Sequence, residues 1–415
     1  MITQDAFARG ENLIETILQK MAVLKVKRQK ALIEILLMFL SFRGRMNFQQ
    51  MGRQCEMNEK SYRHHFEKHF DWLNFNSLIV ASTCSNKLAI GFDPSYISKS
   101  GKKTPGLGYY YSGAASKYKK GLEIGSLAVL DVNQNTAYHL ESVTTPSDVS
   151  KRTENGQGIT LVDHYAQTIL ERKGELLKLS SIMVVDGYFA KRKFVDAIVE
   201  QGQMEVICRL RDDANLNYIY RGKQSTGRGR PKKYDGKMDS KKIDKRRAKL
   251  MERTKEYHLY EIEVYSVGLK RKIKLCYVEF LKENGEVRTI KLLFSTNLNR
   301  SAKEIFQYYK TRFQIEFLFR DGKQYTGLEN CQARSENKLN FHFNASLTSL
   351  NVAKNILRHK MVKNQISTYS INDLKIKFQN RNIIYRIFSI YGLETEMNKI
   401  NKKVNEVFNF GSIAA

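Results

Sequence analysis

Apolar residues at Leu32, Ile33, Leu36, Leu37 and Leu40 recur at spacings of three and four, which places them on one face of a helix. Gly44 breaks this run, and Asn47 and Asn58 each stand where a side-chain oxygen can accept from the first-turn amides of a further short helix. Residues 12–75 therefore read as helical, and the helix after Asn58 carries Lys60, Tyr62, Arg63, His64 and Lys68. Helix, turn and basic helix over Asn47 to Phe70 is the order of a helix-turn-helix. A plain packing module with solvated basic residues is the competing reading.

From Lys87 the period shortens. Leu88 to Asp93 is an apolar run closed by an acid, and Ile124 to Val132 and Thr136 to Val143 flank the hairpin signal Asn133-Gln134-Asn135. A helix is predicted from Ile159 to Leu177, a strand from Ser181 to Asp186, a helix from Ala190 to Gln201 and a strand from Met204 to Leu210. Three strands, helix, strand, helix, strand is the order of an α/β, RNase H-like mixed sheet flanked by helices. Between Arg211 and Arg300 alternating patterns predict strands at Tyr257 to Val267, Lys272 to Phe280 and Val287 to Phe294, a β-rich insertion. From Ser301 helices return, with a long amphipathic stretch from Phe341 to His359.

The 415 residues hold 70 Lys and Arg against 42 Asp and Glu, and a net charge of +28 calls for a polyanionic partner, with nucleic acid first. The longest apolar run, Ala31 to Leu40, contains Glu34 and is about half of what spans a bilayer. The N-terminus lacks the pattern of a secretory signal, so a cytosolic protein is expected. Cys55, Cys84, Cys208, Cys276 and Cys331 include no CxxC pair, which argues against a disulfide framework; Cys55 with His64, His65 and His69 is a minor zinc alternative. Within 221–256 fifteen Lys and Arg meet five Asp and Glu. The segments Gly227 to Lys233 and Lys241 to Lys249 form a basic, partly disordered arm, in which Arg228, Arg230, Lys232 and Lys233 are candidates for phosphate contact and Arg230 for a narrow minor groove. In the N-terminal module, Lys60 and Arg63 are the candidates to lie near DNA.

Phosphodiester chemistry with two metal ions needs converging carboxylates. Asp93 and Asp186 close two strands that are neighbours in the inferred sheet, and on one continuous helix Tyr309, Arg312, Glu316 and Lys323 fall at roughly 0°, 300°, 340° and 320°. That stripe joins one carboxylate to cations able to hold phosphate oxygens, although an ordinary i,i+4 pair between Arg312 and Glu316 gives the same pattern. Asp321, Glu329 and Glu336 compete as the third carboxylate, and Asp131, Asp163 and Asp212 as the first two.

The spacing Tyr309-x2-Arg312-x3-Glu316-x6-Lys323, followed around by Phe319-Arg320-Asp321-Gly322-Lys323, resembles the Y-R-E-K signature of bacterial DDE transposases of the insertion-sequence-4 type. The resemblance takes in Asp93 with Ser95 and Lys99, and Asp186-Gly-Tyr-Phe189, and runs from about residue 87 to 350. It implies catalytic, metal-holding Asp93, Asp186 and Glu316. It also implies DNA contacts at Tyr309, Arg312, Arg320, Lys323 and Lys99, two Mg²⁺ ions per site with Mn²⁺ as a substitute, and cleavage at element ends followed by strand transfer into target DNA. The partners implied are double-stranded DNA, as terminal inverted repeats and target, and a second copy of the chain on paired ends, in a bacterial cytoplasm at the nucleoid. A metal-dependent nuclease without strand transfer and a non-catalytic, domesticated DNA-binding regulator are the alternatives. The expected organisation is a helical DNA-binding module at 1–80, the catalytic core at 81–210, the β-rich insertion with its arm at 211–300, and the second part of the core with C-terminal helices at 301–415. Some relatives stack a flipped base on a Trp of the insertion; the one Trp here is Trp72, which leaves Tyr257, Tyr260 or Tyr265 for such a role.

Overall fold

The computed structural model describes residues 6–21, 24–42, 44–147, 153–154, 157–224, 230–364, 370–392 and 407–412. Five helices open the chain: α1 (Ala6–Lys20), α2 (Val26–Ser41), α3 (Phe48–Gln54), α4 (Glu59–Glu67) and α5 (Trp72–Thr83). Asn47 caps α3 by accepting from the Gln50 amide at 2.9 Å, and Asn58 caps α4 through Ser61 at 2.9 Å, as the sequence predicts. A Cβ on Gly52 would lie 2.7 Å from the Glu59 backbone nitrogen, so the close crossing of α3 and α4 requires glycine there.

These helices do not stand apart from the rest. The Phe66 ring meets Phe341 of the long helix α11 (Glu336–Asn364) at 4.5 Å, Ser349 donates to the Leu36 carbonyl at 3.0 Å, and Asn76 donates to Thr348 at 2.9 Å. Arg28 is buried and donates to the carbonyls of His65 at 2.7 Å and Lys68 at 3.2 Å. Burial and the Arg28 charge push the His65 imidazole down to about 4, so it is neutral and serves as an acceptor for Arg28 at 3.0 Å. His65 is thus a packing residue, which removes it from the zinc alternative.

A single twelve-stranded sheet forms the body. Its first part comprises β1 (Leu88–Ser98), β2 (Gly108–Ser112), β3 (Lys117–Asp131), β4 (Thr136–Thr144), β5 (Ile182–Val184) and β6 (Glu205–Arg209). β1 is antiparallel to β3 and parallel to β5, β5 is parallel to β6, and β4 flanks β3, giving the order β4-β3-β1-β5-β6 of the RNase H-like fold. On one face Ile90 and Phe92 pack with Val162 and Tyr165 of α6 (Leu161–Leu170), Leu176 of α7 (Lys173–Leu179) and Phe194 of α8 (Arg192–Asp196). On the other, Ala89 and Ile97 share a core with Ile305 of α9 (Ala302–Arg312), Ile315 and Leu318 of α10 (Gln314–Tyr325), α11 and α12 (Ile371–Ile390).

The structure departs from the sequence expectations in places and extends them in others. The helix expected from Ile159 to Leu177 is two, broken at Arg172, and α8 passes into a π-helical turn, Ala197–Gln201. The strand β2 and the outer part of β3 carry no clear alternation of apolar residues, and the sequence reading does not include them. The β-rich insertion extends the core sheet: β7 (Leu216–Ile219), β8 (Tyr234–Met238), β9 (Lys249–Arg253), β10 (Tyr257–Ser266), β11 (Arg271–Leu281) and β12 (Val287–Ser295) continue the body in the order β6-β12-β11-β10-β7-β8, with β9 on β10. Within 221–256, Met238 and Ile243 are buried, β8 lies between the two basic segments and β9 begins at the end of the second; Arg228 falls outside the described residues.

Candidate active site

Asp93 does not end its strand. β1 runs on to Ser98, and Asp93 sits in mid-strand opposite Ser126 of β3. Asp186 lies two residues past β5, where it caps the 3₁₀ turn Gly187–Phe189 and accepts from the Tyr188 amide at 2.9 Å. Gly91 pairs with Val184 in parallel register, so Asp93 on β1 and Asp186, just past the end of the neighbouring β5, are each two residues beyond that pair.

The third carboxylate comes from across the sheet face. α9 is launched from β12 by a capping box between Ser301 and Glu304, and Arg300 clamps its start to β6 through Glu205 at 2.7 Å. The chain then turns at Phe313 before α10 begins, so the polar stripe predicted on one continuous helix is divided between two. Arg312 and Glu316 still meet across the break, Nη2 to Oε1 at 2.8 Å, with Glu316 in the first turn of α10 where the helix dipole favours its charge. A Cβ on Gly91 would lie 2.3 Å from Ile315 Cδ1: the absence of a side chain at Gly91 lets α10 settle against β1 next to Asp93.

Burial pushes the Asp93 carboxyl up to about 7; the Arg312 charge opposes this, and the Asp186, Glu316 and Glu123 carboxylates add to it. The three acids singled out by sequence therefore share one electrostatic field with Arg312 among them. Arg312 is largely enclosed, its Nε is buried without a partner, and its guanidinium lies 5.7 Å from the Tyr309 ring centre. Burial holds the Tyr309 hydroxyl above the usual phenol range, partly offset by Arg312, with Asp186 among its negative neighbours.

A divalent cation is tested against this arrangement by the donors themselves. Three hard carboxylate oxygen donors, one of them pushed up toward neutrality by burial and further by the other two, are the chemistry such an ion satisfies. Among the described residues no three His, Cys, Asp or Glu side chains stand close enough to hold an ion as they are. The reason is visible: Glu316 is engaged by Arg312 and Asp186 by its own turn. The residues fit in kind and in mutual influence, without forming a closed coordination shell.

The remaining candidates divide. Lys323 donates to the Tyr96 carbonyl at 2.7 Å and pairs with Glu329 at 3.4 Å, tying α10 to β1. Lys99 donates to the carbonyls of Cys331 and Ala333 and so braces the segment after α10. Arg320 is exposed, paired with Asp321 at 2.9 Å and stacked on Phe317 at 4.5 Å. Lys60 and Arg63 are exposed on α4, Arg63 paired with Glu59 at 2.7 Å. Arg230, Lys232 and Lys233 are exposed, and Lys232 is held by Asp235 at 3.0 Å.

The competing acids have other duties: Asp131 is fully buried and accepts from Ser85, Asp163 caps α6 through Thr160, and Asp212 pairs with Arg209. Tyr257 bonds Glu252 and packs on Phe306 of α9, Tyr260 is buried, and Tyr265 lies on Tyr234 within the insertion. Sequence reasoning missed Glu123, which takes a hydrogen bond from Tyr165, and Tyr188, exposed beside Asp186; the Asp-Gly-Tyr-Phe string was the available signal for the latter.

No helix among the described residues is long and apolar enough to cross a membrane. A search of curated proteins returned no match. Residues 97–352 match the transposase DDE domain family; that stretch holds Asp186, Tyr309, Arg312, Glu316 and Lys323, and begins four residues after Asp93 on the same strand. Covering more than half of the chain, on a large mixed sheet of RNase H-like order, this match places the protein in the transposase DDE domain family, whose members act on DNA and generally use divalent metal ions.

Proposed function

We propose that this chain is the transposase of an insertion sequence of the insertion-sequence-4 type, hydrolysing the phosphodiester at each element end and joining the freed 3′-OH to target DNA. The observation that carries the reading is the shared field of Asp93, Asp186 and Glu316 around Arg312. These three carboxylates would hold two Mg²⁺ ions, with Mn²⁺ as a substitute, which supply activation of the attacking oxygen and stabilisation of the leaving one. Arg312 orients Glu316 through Nη2 and offers its guanidinium charge to a phosphate oxygen. Lys323 fixes the distance between α10 and β1, and thereby between Glu316 and Asp93. In the hydrolytic step water attacks phosphorus and the 3′-oxygen leaves with a proton; in the joining step that 3′-OH attacks a target phosphodiester in line and displaces its 3′-oxygen.

The exposed Lys60 and Arg63 of α4 support a role for the N-terminal helices in gripping duplex DNA, and Arg230, Lys232 and Lys233 support a second, sequence-independent hold. Two ends require two sites, so we infer a homodimer on paired ends, acting in the bacterial cytoplasm. The test is incubation of the protein with DNA carrying the element's terminal inverted repeats, with Mg²⁺ or with chelator. Metal-dependent nicking at the repeat boundary and joining of a pre-cut 3′-OH end are expected, and Glu316→Gln should bind without cutting. Cleavage that persists in Glu316→Gln would pass the role to Asp321 or Glu329, and cutting without joining would make the protein a nuclease.

A further inference from the structure

The hairpin of β2 and the outer end of β3 has no part in the site above, yet its surface is unusual. Register pairs Tyr109 with Lys120 and Tyr111 with Tyr118, and directly opposed residues share a face, so three tyrosines and one lysine form a single row on one side of the ribbon. Tyr109 is 72%, Tyr111 53% and Tyr118 70% exposed, and the Tyr111 and Tyr118 rings meet edge-on at 5.7 Å. The opposite face is anchored, since buried Tyr110 donates to the Gly106 carbonyl at 2.9 Å and to that of Thr145 at 3.1 Å. The rings are therefore held out by a fixed support.

Charge narrows the occupant. Residues 99–122 contain Lys99, Lys102, Lys103, Lys117, Lys119 and Lys120 and no Asp or Glu. Aromatic rings among lysines suit a polyanion with flat apolar faces, which describes nucleic acid whose bases are out of their pairs. The exposed row has no Arg, Asn or Gln to read base edges in a groove, which favours stacking over groove reading. The ribbon also leads to the candidate catalytic residues. Tyr188 is 43% exposed beside Asp186, with Tyr118 and Glu123 among its electrostatic neighbours, and Lys191 sits 3.9 Å over its ring.

We propose that Tyr109, Tyr111 and Tyr118 form a stacking platform for unpaired nucleobases of DNA entering the site, with Lys120 on the same face taking a phosphate and Tyr188 standing between the ribbon and Asp186. The proposal rests on the transposase reading. The experiment compares, in chelator, binding of a fully paired duplex and of the same duplex with one end unpaired as a run of thymines. Wild type binds the frayed DNA more tightly. The Tyr109→Ala/Tyr111→Ala/Tyr118→Ala variant loses that preference, by at least about fivefold for each stacked base, while the corresponding triple Phe variant keeps it because stacking needs the ring and not the hydroxyl. Abasic sites in the unpaired run remove the preference from wild type. An equal loss on both DNAs, a triple Phe variant that behaves like the Ala variant, or a DNA-free dimer dispersed by the Ala substitutions would overturn the platform, the last by making the ribbon a contact between copies. Failure here with metal-dependent end cleavage intact removes only the platform; loss of cleavage with the frayed preference intact removes only the catalytic assignment.

Discussion

Asp93→Asn should make the metal-free protein more stable at pH 8 and should end its response to metal. Folded Asp93 titrates near 7, against an ordinary value of 3.8, because burial and the Asp186 and Glu316 charges oppose its ionisation. A folded pKa raised above the unfolded one means that the folded state holds the proton longer. Its contribution is intact below pH 4, declines as pH rises, and is lost once pH passes 7. Three units at 1.36 kcal/mol each set a ceiling of about 4 kcal/mol, of which about 2–3 kcal/mol is lost between pH 5 and pH 8. Asn cannot ionise and escapes that loss. Urea denaturation of both proteins at pH 5 and pH 8 in chelator measures it, and the advantage of the Asn variant should be larger at pH 8 by about 2–3 kcal/mol. Adding Mg²⁺ should stabilise wild type, increasingly toward high pH, and leave the variant nearly unmoved, because a ligand bound only by the folded state shifts stability through its own affinity. An Asn effect of equal size at both pH values would refute the reasoning, since it would mean that Asp93 pays no charge penalty in the fold.

Gly91→Ala should cost about 1–3 kcal/mol by overpacking Ile315, and should slow end cleavage further than that stability loss explains, because Ile315 precedes Glu316; urea melts and single-turnover cleavage measure the two separately. Changing Arg230, Lys232 and Lys233 to Ala should flatten the slope of log affinity against log salt by about 0.9 for each phosphate contact removed, and an unchanged slope would clear the arm of DNA contact. Lys60→Ala with Arg63→Ala should weaken binding to terminal-repeat DNA with little change in melting, since the Arg63–Glu59 pair is exposed and worth about 0.2–1 kcal/mol at most. Equal weakening on unrelated duplexes would make α4 a general phosphate contact.

The RNase H-like order was legible because β1, β3, β5 and β6 are near-continuous apolar runs, and because caps such as Asn47 and Asn58 act within three residues of themselves. The Tyr309 to Lys323 spacing was legible as a motif, but the break at Phe313 was not, since nothing in its composition stops a helix; Arg312 and Glu316 stayed paired because the break lies between residues that already meet one turn apart. The sequence displays the charges of Lys99 and Lys323 but hides their partners, carbonyls more than two hundred residues away in the chain. The insertion's pairing with β6 and the docking of α4 on α11 are contacts between residues far apart in the chain, which no local pattern encodes. The tyrosine ribbon escaped notice because exposed β2 lacks the apolar alternation by which strands are found.

The docking of α4 carries a metrical consequence. Arg28, Phe66 and the pair of Lys338 with Glu67 at 2.6 Å fix α4 to α11, whose core also holds β1 and α10. A duplex held by α4 would then meet the carboxylates at one set offset, like stock against a stop gauge. One base pair inserted in the DNA between the gripped segment and the scissile bond would carry that bond round the helix axis by about 34°, a tenth of a turn. Spacer length in the element's end would be counted by the rigidity of the protein, and cleavage would return only near a whole added turn, and then only if the chain could also reach that far.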